Sequence, residues 1–277
     1  MQHIRWTSRP ALHEPALVAA FAGWNDAGDA ATGAVRYLVD HHDADMFAEV
    51  DAEEFFDFTA TRPHIGVDDE GQRSITWPST ELYSATLPGG QDVVLAIGTE
   101  PHLRWRTFCG ELIEVAQTVG CRQLVTLGAL VAEVPHSRPV RIVGTASNSA
   151  RESELDLQPS NYEGPTGIVG ALTTACADAD LPVVSLWAAV PTYVPTAPSP
   201  KAALALVEHT AMVLGLWLPT TDLEIAAASY ERQVSELVAE DEETADYVSN
   251  LETNHDQDED QPGRSLVEEV ERYLRGD

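Results

Sequence analysis

The chain has 277 residues, of which 44% are hydrophobic and 22% are charged, as is typical of a globular protein with a substantial core. Its formal net charge is -29, from 45 acidic and 16 basic residues. Nucleic acids and anionic membranes are bound through Lys and Arg, so neither is an expected partner. The excess of acid either keeps the protein soluble or fits a basic protein partner.

The cysteines and the hydropathy pattern bear on the compartment. Cys109, Cys121 and Cys176 form no C-x-x-C pair, so we expect no zinc site, no redox motif and no cofactor. Unpaired thiols are typical of a reducing compartment. No apolar run approaches the roughly 20 residues of a membrane helix, and the N-terminus has no signal-peptide core. We therefore predict a cytoplasmic protein.

Apolar runs alternate with helical periodicity along the first part of the chain. Buried strands are predicted over 17–22, 92–97, 122–130 and 181–191, with several short strands within 46–87. Helices are predicted over 26–40, 105–119, 166–179 and 198–218. Continuous apolar strands separated by helices favour a largely parallel sheet covered on both faces. The pattern predicts a three-layer α/β/α sandwich over residues 1–219.

The loop "GWNDAGDAATG" connects the first strand to the first helix. Its first two glycines have the spacing of a P-loop, but Asp29 and Ala30 stand where a P-loop has Lys and then Ser or Thr. Carboxylates of Asp26 and Asp29 at the helix N-terminus would repel phosphate, so we reject ATP or GTP binding. Asn25 and Asp26 either cap the helix or, together with Trp24, line a crevice at the strand's carboxyl end.

The segment "TEPHLRWR" also follows a strand and precedes a helix, so we expect it at the same edge of the sheet. It supplies Glu100, Arg104 and Trp105 as candidate site residues. Arg104 has two interpretations: it pairs with Asp26 or Asp29, or it binds a ligand carboxylate.

Three later loops contribute the other candidates. "VPHSRPVR" holds His136 and Arg138 between prolines, which suits either an anion site or a rigid contact loop. "NYEGPTG" contains Tyr162 and Thr166, and the proline-rich "PTYVPTAPSP" contains Tyr193. A stiff apolar loop of the latter kind is typical of an interface.

The composition changes at Pro219, and residues 220–277 are predicted to form an acidic helical extension. Its apolar residues follow a 4-3-4-3 spacing, as in a coiled-coil seam: Leu223, Ala227, Tyr230, Val234 and Leu237. This helix packs either on a partner subunit or on its own domain. Residues 252–263 are predicted to be a flexible linker, followed by a short amphipathic helix.

Motifs for catalysis and metal binding are missing from the sequence. There is no G-x-S-x-G, H-E-x-x-H or G-x-G-x-x-G motif, so no catalytic residue is assigned. The acidic spacing at 256–260 lacks the glycine and the terminal acid of a calcium loop. The histidines at 41–42 follow a helix end, where His is favoured by the helix dipole, so no metal is expected.

Taken in this order, "GWNDAGDAATG", "EPHLRW", "VPHSRPVR", "YEGPTG" and "VPTYVPTAPSP" resemble the PAC2 family, the prokaryotic relatives of the proteasome assembly chaperone. The resemblance spans roughly residues 15–250, and the helical extension looks like the actinobacterial branch. It implies an α/β/α core similar to the purine nucleoside phosphorylase fold, a helical C-terminal appendage and an oligomer.

Two functions are consistent with these residues and motifs. The first is a non-catalytic interaction or assembly-chaperone-like factor, acting as a homo-oligomer with proteasome-related or other protein partners. The alternative is nucleoside or anion binding, or a phosphorylase-like enzyme, in a cleft at the strand ends. The groups of that cleft would be Trp24, Glu100, Arg104, Trp105, His136 and Arg138.

Overall fold

The computed structural model of the chain describes residues 2–68, 70–147, 149–155, 157 and 163–260. Within these residues the chain forms ten β-strands: β1 (Ile4–Trp6), β2 (Ala16–Ala22), β3 (Asp45–Val50), β4 (His64–Val67), β5 (Arg73–Thr76), β6 (Thr80–Thr86), β7 (Asp92–Thr99), β8 (Gln123–Ala132), β9 (Ile142–Ala146) and β10 (Val183–Pro191). The same residues form seven α-helices: α1 (Ala30–His41), α2 (Trp105–Thr118), α3 (Ser149–Glu154), α4 (Ile168–Asp178), α5 (Pro200–Leu214), α6 (Thr221–Ala239) and α7 (Glu242–Asp260).

Eight of the described strands build one mixed sheet in the order β1-β3-β6-β7-β2-β8-β10-β9. The four central strands β7, β2, β8 and β10 are parallel, and the outer strands are antiparallel to their neighbours. The central strands are buried along nearly their whole length, which explains their continuous apolar runs. Their carboxyl ends share one edge of the sheet.

Helices cover both faces of the sheet, so the predicted three-layer α/β/α sandwich is confirmed. Successive side chains of β10 alternate between the two layers of core. Val184 and Leu186 pack with α1 and α5. Val183 packs on the other face with α2 and α4. The alternation follows from the two-residue period of a strand.

The short strands predicted within 46–87 are confirmed, and two of them leave the main sheet. β4 and β5 pair as a separate antiparallel ribbon in which Ile65 lies opposite Ile75. Alternation places Ile65, Val67 and Ile75 on one side of this ribbon, with Arg73 opposite Val67, and Trp77 directly follows β5; we call the four apolar side chains the hairpin face. They are exposed to large fractions: Ile65 57%, Val67 63%, Ile75 53% and Trp77 47%.

The seam residues of α6 pack within the chain. Ala227, Tyr230 and Val234 are buried, and the latter two cluster with Val248 of α7. Leu223 is half-buried and packs against the core cluster on the α1 and α5 face of the sheet. Leu237 is 59% exposed, and Val238 takes the buried place that the 4-3-4-3 spacing gives to Leu237. The helix therefore packs on its own chain along this stripe.

The predicted flexible linker is wrong for residues 252–260, which belong to α7. The helix is stabilised by tertiary contacts, which the acidic composition of this segment does not predict. Leu251 and His255 are buried, and the adjacent acids Glu252 and Asp256 bond to a loop of the core domain. The remainder of the extension, including the predicted final helix, lies outside the described residues.

Candidate functional site

The ends of β2 and β7 meet at the carboxyl edge of the sheet, where Asn25 and Glu100 touch. Asn25 donates from Nδ2 to Glu100 Oε1 at 2.7 Å, and the backbone N–H of Ile168 donates to the same oxygen at 2.8 Å. Glu100 thus accepts a bond from the first turn of α4, whose N-cap Gly167 offers no side chain. The hydrogen bonds of Asn25 and Glu100 thus link the ends of β2 and β7 to the start of α4.

Asp26 caps the first helix, although the helix begins later than predicted. α1 starts at Ala30, after a 3-10 turn and Asp29, whose backbone has a positive φ of 49°. Asp26 Oδ1 accepts from the N–H groups of Ala31 and Thr32 at 2.7 and 3.2 Å, and its Oδ2 accepts from the Thr32 hydroxyl. Burial raises the pKa of Asp26, and these hydrogen bonds oppose the rise.

Arg104 is held by a partner other than the predicted Asp26 or Asp29, and Trp105 is bonded to a backbone carbonyl oxygen. Arg104 pairs with Glu54, and neither Asp26 nor Asp29 forms this ion pair. Trp105, the first residue of α2, donates from Nε1 to the carbonyl oxygen of Pro101 in the preceding loop at 2.5 Å.

His136 and Tyr193 come together in a partly buried row of hydrogen bonds that extends to Ser235 on α6. His136 is 5% exposed. Its Nδ1 lies 2.9 Å from the Tyr193 hydroxyl, and its Nε2 lies 2.9 Å from Ser235 Oγ. Lys201 donates to the His136 carbonyl oxygen at 2.6 Å and pairs with Glu231. The sequence patterns did not single out Ser235 and Lys201, because neither stands in a recognisable motif.

A serine, a histidine and a tyrosine in line resemble a proton relay. The direction of the serine hydrogen bond argues against one, because the Ser235 hydroxyl does not donate to His136. Ser235 donates to the Glu231 carbonyl oxygen of its own helix at 2.8 Å, so His136 Nε2–H donates to Ser235. Burial lowers the pKa of His136, which favours the neutral ring, and in that neutral ring Nδ1 accepts from Tyr193. This row of hydrogen bonds joins the loop after β8 to α6 and activates no nucleophile.

Arg138 is occupied by α7. Its Nε and Nη2 donate to the two oxygens of Asp256 at 2.7 and 2.8 Å, a bidentate pair. The neighbouring Ser137 donates to Glu252. The chain's own helix therefore supplies the carboxylate for the predicted anion site. Glu100, Arg104 and the His136 loop bond to separate partners, so these predicted groups do not converge on one point.

Trp24 and Thr166 line a cavity of about 690 Å³ on the α4 side of the sheet. Its floor comes from β8, β9 and β10, and one wall comes from α4. Trp24 is 50% exposed at this cavity. Tyr162, the remaining candidate, lies outside the described residues. Of the candidate residues named from the sequence, Trp24 and Thr166 thus line this cavity.

Neither a metal cluster nor a membrane span is found in the described part of the chain. Among the residues that the structure describes, no group of three or more His, Cys, Asp or Glu side chains is arranged to hold a metal ion. No described helix combines the length and the apolar character needed to span a membrane.

Comparison with known proteins places the chain among structures of one family. The sequence profile of the PAC2 family matches residues 20–238. The crystal structure of Rv2125, described as a proteasome-assembly chaperone homologue of Mycobacterium tuberculosis, is 44% identical with a TM-score of 0.78, over 84% of this chain and 99% of that chain. A PAC2 family protein from Streptomyces avermitilis is 43% identical with a TM-score of 0.78, over 84% and 99% of the two chains.

A third structure resembles the chain over almost its full length. Rv2714 of Mycobacterium tuberculosis, described as a protein of unknown function, is 30% identical with a TM-score of 0.88, over 99% of this chain and 96% of that chain. No curated protein matches the chain. The profile match and the two relatives above 40% identity agree, and the chain belongs to the PAC2 family.

Proposed function

We propose that the chain is a non-catalytic protein-interaction factor with an assembly-chaperone-like role, acting as a homo-oligomer in the cytoplasm. Membership of the PAC2 family and the similarity to a proteasome-assembly chaperone homologue support this role. Free thiols at Cys109, Cys121 and Cys176 fit a reducing compartment. Burial raises the pKa of Cys121 to about 12, which keeps it protonated and unsuited to nucleophilic catalysis.

The hairpin face is the observation that carries the proposal. Three large apolar side chains stand on one side of a two-stranded ribbon and Trp77 directly follows it, each about half exposed or more. A lone two-stranded ribbon is marginal in water, and apolar patches of this kind mark contacts with other proteins. Complete burial of one such side chain is worth about 1.5–3 kcal/mol. A partner that covers this face therefore stabilises the ribbon and gains affinity.

Charge favours a second copy of the chain at the hairpin face. Residues 60–78 contain two basic residues, Arg62 and Arg73, and three acids, Asp68, Asp69 and Glu70, which leaves a net charge of -1. The whole chain carries -29. The rest of the surface of each copy is strongly negative and repels a second copy, whereas the ribbon is nearly neutral. Two copies that meet at their ribbons therefore bring little like charge into contact. The other partners that we propose are proteasome-related or other proteins.

A matched pair of ribbon variants tests the self-association. Ile75→Asp places a charge on the hairpin face, whereas Ser74→Asp places one on the opposite side of the same strand. We expect light scattering to show a mass above the 30.0 kDa of one chain for wild type and for Ser74→Asp, and a lower mass for Ile75→Asp. A monomeric wild type would overturn the homo-oligomer, and an unchanged Ile75→Asp mass would overturn this surface.

The assembly role needs its own readout. Proteasome subunits from the same organism are mixed with the chain, and their assembly is followed on native gels. We expect wild type to change the rate or the yield of assembly. A rate and yield that stay the same with and without the chain would contradict the chaperone role, even if the chain proves oligomeric.

A further inference from the structure

The cavity beside α4 has the size of a small-molecule site and serves no purpose in the proposed interaction role. Its volume of about 690 Å³ lies within the range of about 300–1,000 Å³ that is usual for ligand pockets. Its floor is deep, because Leu130 and Val143 are only 5% and 8% exposed. One end of it, at Trp24 and Thr166, reaches the carboxyl edge of the parallel strands, where open α/β sheets bind their ligands.

The floor is flat and aromatic because of one close approach between neighbouring strands. Trp187 on β10 lies beside Gly128 on β8, and a β-carbon at position 128 would stand 2.6 Å from the tryptophan ring. Only glycine leaves room for the ring to lie across β8. Trp187 and the half-exposed Trp24 both line the cavity. Two indole rings around one space favour a planar aromatic occupant through stacking.

A buried hydroxyl in the floor is available for hydrogen bonding. Ser185 lines the cavity and is 4% exposed. Its Oγ accepts from Trp187 Nε1 at 3.1 Å, and among the described residues its own hydroxyl hydrogen has no acceptor. The hydroxyl can therefore donate to a ligand with a ring nitrogen or carbonyl oxygen. Thr145 on β9 adds a second hydroxyl to the same space.

The charges around the cavity point to a neutral ligand. Among its described lining residues the charged side chains are Arg106 and Asp178, one of each sign and both exposed. The single cation is balanced by the carboxylate, and the chain as a whole is at -29. An anion such as a nucleotide would have to be desolvated without a matching cluster of positive charge.

We infer that this cavity binds a neutral, planar heteroaromatic molecule of the nucleobase or nucleoside class. Trp24 and Trp187 contact the ring, and Ser185 donates to an acceptor on it. This site uses floor and wall residues that do not take part in the hairpin face, so the site and the proposed interaction role succeed or fail separately.

Titration of the full chain with neutral nucleosides and their phosphates tests the inference. Adenosine, guanosine, cytidine and uridine are added singly in calorimetry, with the four monophosphates as the charged series. We expect saturable binding of at least one nucleoside and about tenfold or more weaker binding of its monophosphate, because the phosphate must lose its water here. Absence of saturable binding by all four nucleosides would overturn the inference, as would tighter binding of the monophosphate.

A pair of tryptophan substitutions on α4 locates the binding. Thr174→Trp fills the cavity from an exposed wall position, and Ala177→Trp changes an exposed position of the same helix that does not line it. We expect about a tenfold or greater loss of affinity for Thr174→Trp and a change within about twofold for Ala177→Trp. Equal affinities would place the ligand elsewhere and overturn the inference. Circular dichroism checks the fold, and crystals soaked with the nucleoside give a second readout on wild type.

Discussion

Asp26 determines what the glycine-spaced loop after β2 can hold. The N–H groups that bind phosphate in a P-loop here donate to a side-chain carboxylate, at Ala31 and Thr32. The Thr32 hydroxyl completes the set. Because an internal anion already fills the positive end of α1, a phosphate at this point would meet repulsion without any lysine to offset it.

Replacement of Asp26 measures the strength of this cap. Asp26→Ala removes the acceptor of two N–H groups and one hydroxyl in a buried place, so we expect the free energy of unfolding to fall by about 1–2 kcal/mol. Asp29→Asn is the matched control, since Asp29 is exposed and forms no side-chain cap. Urea denaturation measures both variants. Similar stabilities for Asp26→Ala and Asp29→Asn would contradict the capping role.

Sequence patterns predict local partners of a residue better than distant ones. The cap at Asp26 could be predicted, because an acid before an apolar helical stripe is a local signal. The start of the helix could not, since the positive φ at Asp29 depends on how the loop packs. The partner of Arg104 is Glu54, which lies 50 residues away in the chain. Only the fold decides which carboxylate an arginine reaches.

At the scale of elements, the C-terminal helices are fastened to the loop that follows β8. His136 is bonded to Ser235 on α6, and Arg138 is paired with Asp256 on α7. An acidic segment such as 252–260 has the composition of a linker. Its helical state comes from tertiary contacts, which composition does not record. Composition and spacing fail in α6 for the same reason. The 4-3-4-3 spacing predicts that Leu237 is buried, but in the folded chain Val238 is the buried residue.

The loop–helix contact should weaken in mild acid. Burial lowers the pKa of His136, Lys201 adds to the effect, and Glu231 and Glu252 oppose it. The unfolded chain keeps an ordinary histidine pKa of about 6.5, so it takes up a proton before the folded chain does. The stabilising contribution is therefore fully present above pH of about 6.5 and is lost as the pH falls through the folded value.

Urea denaturation at about pH 7.5 and about pH 5 tests this sign. We expect the free energy of unfolding of wild type to be lower in acid, and we expect a smaller decrease for His136→Gln, which cannot be protonated. The difference between the two decreases isolates His136 from other titrating groups. Equal decreases in wild type and variant would show that His136 does not contribute to the pH dependence.

At the scale of the whole molecule, charge and apolar surface are unevenly placed. Residues 222–277 hold 18 acids and four arginines, so close to half of the excess negative charge lies in the last fifth of the chain. The apolar hairpin face belongs to the segment between β3 and β6. Composition and hydropathy patterning could predict the acidic extension and the α/β/α class. They could not predict the exposed face, since the same isoleucines would suit a buried strand.

Self-association at the hairpin face should strengthen when salt is added. Two copies that each carry -29 repel one another, and salt screens this repulsion over a Debye length of about 10 Å at 0.1 M. Contacts between side chains such as Ile65 and Ile75 carry no charge and are not screened. We therefore expect the weight-average mass in sedimentation experiments to rise between about 20 mM and about 500 mM NaCl at fixed protein concentration. Ile75→Asp should show no comparable rise. An assembly held by ion pairs would dissociate with salt, and a wild-type mass that falls would contradict the apolar interface.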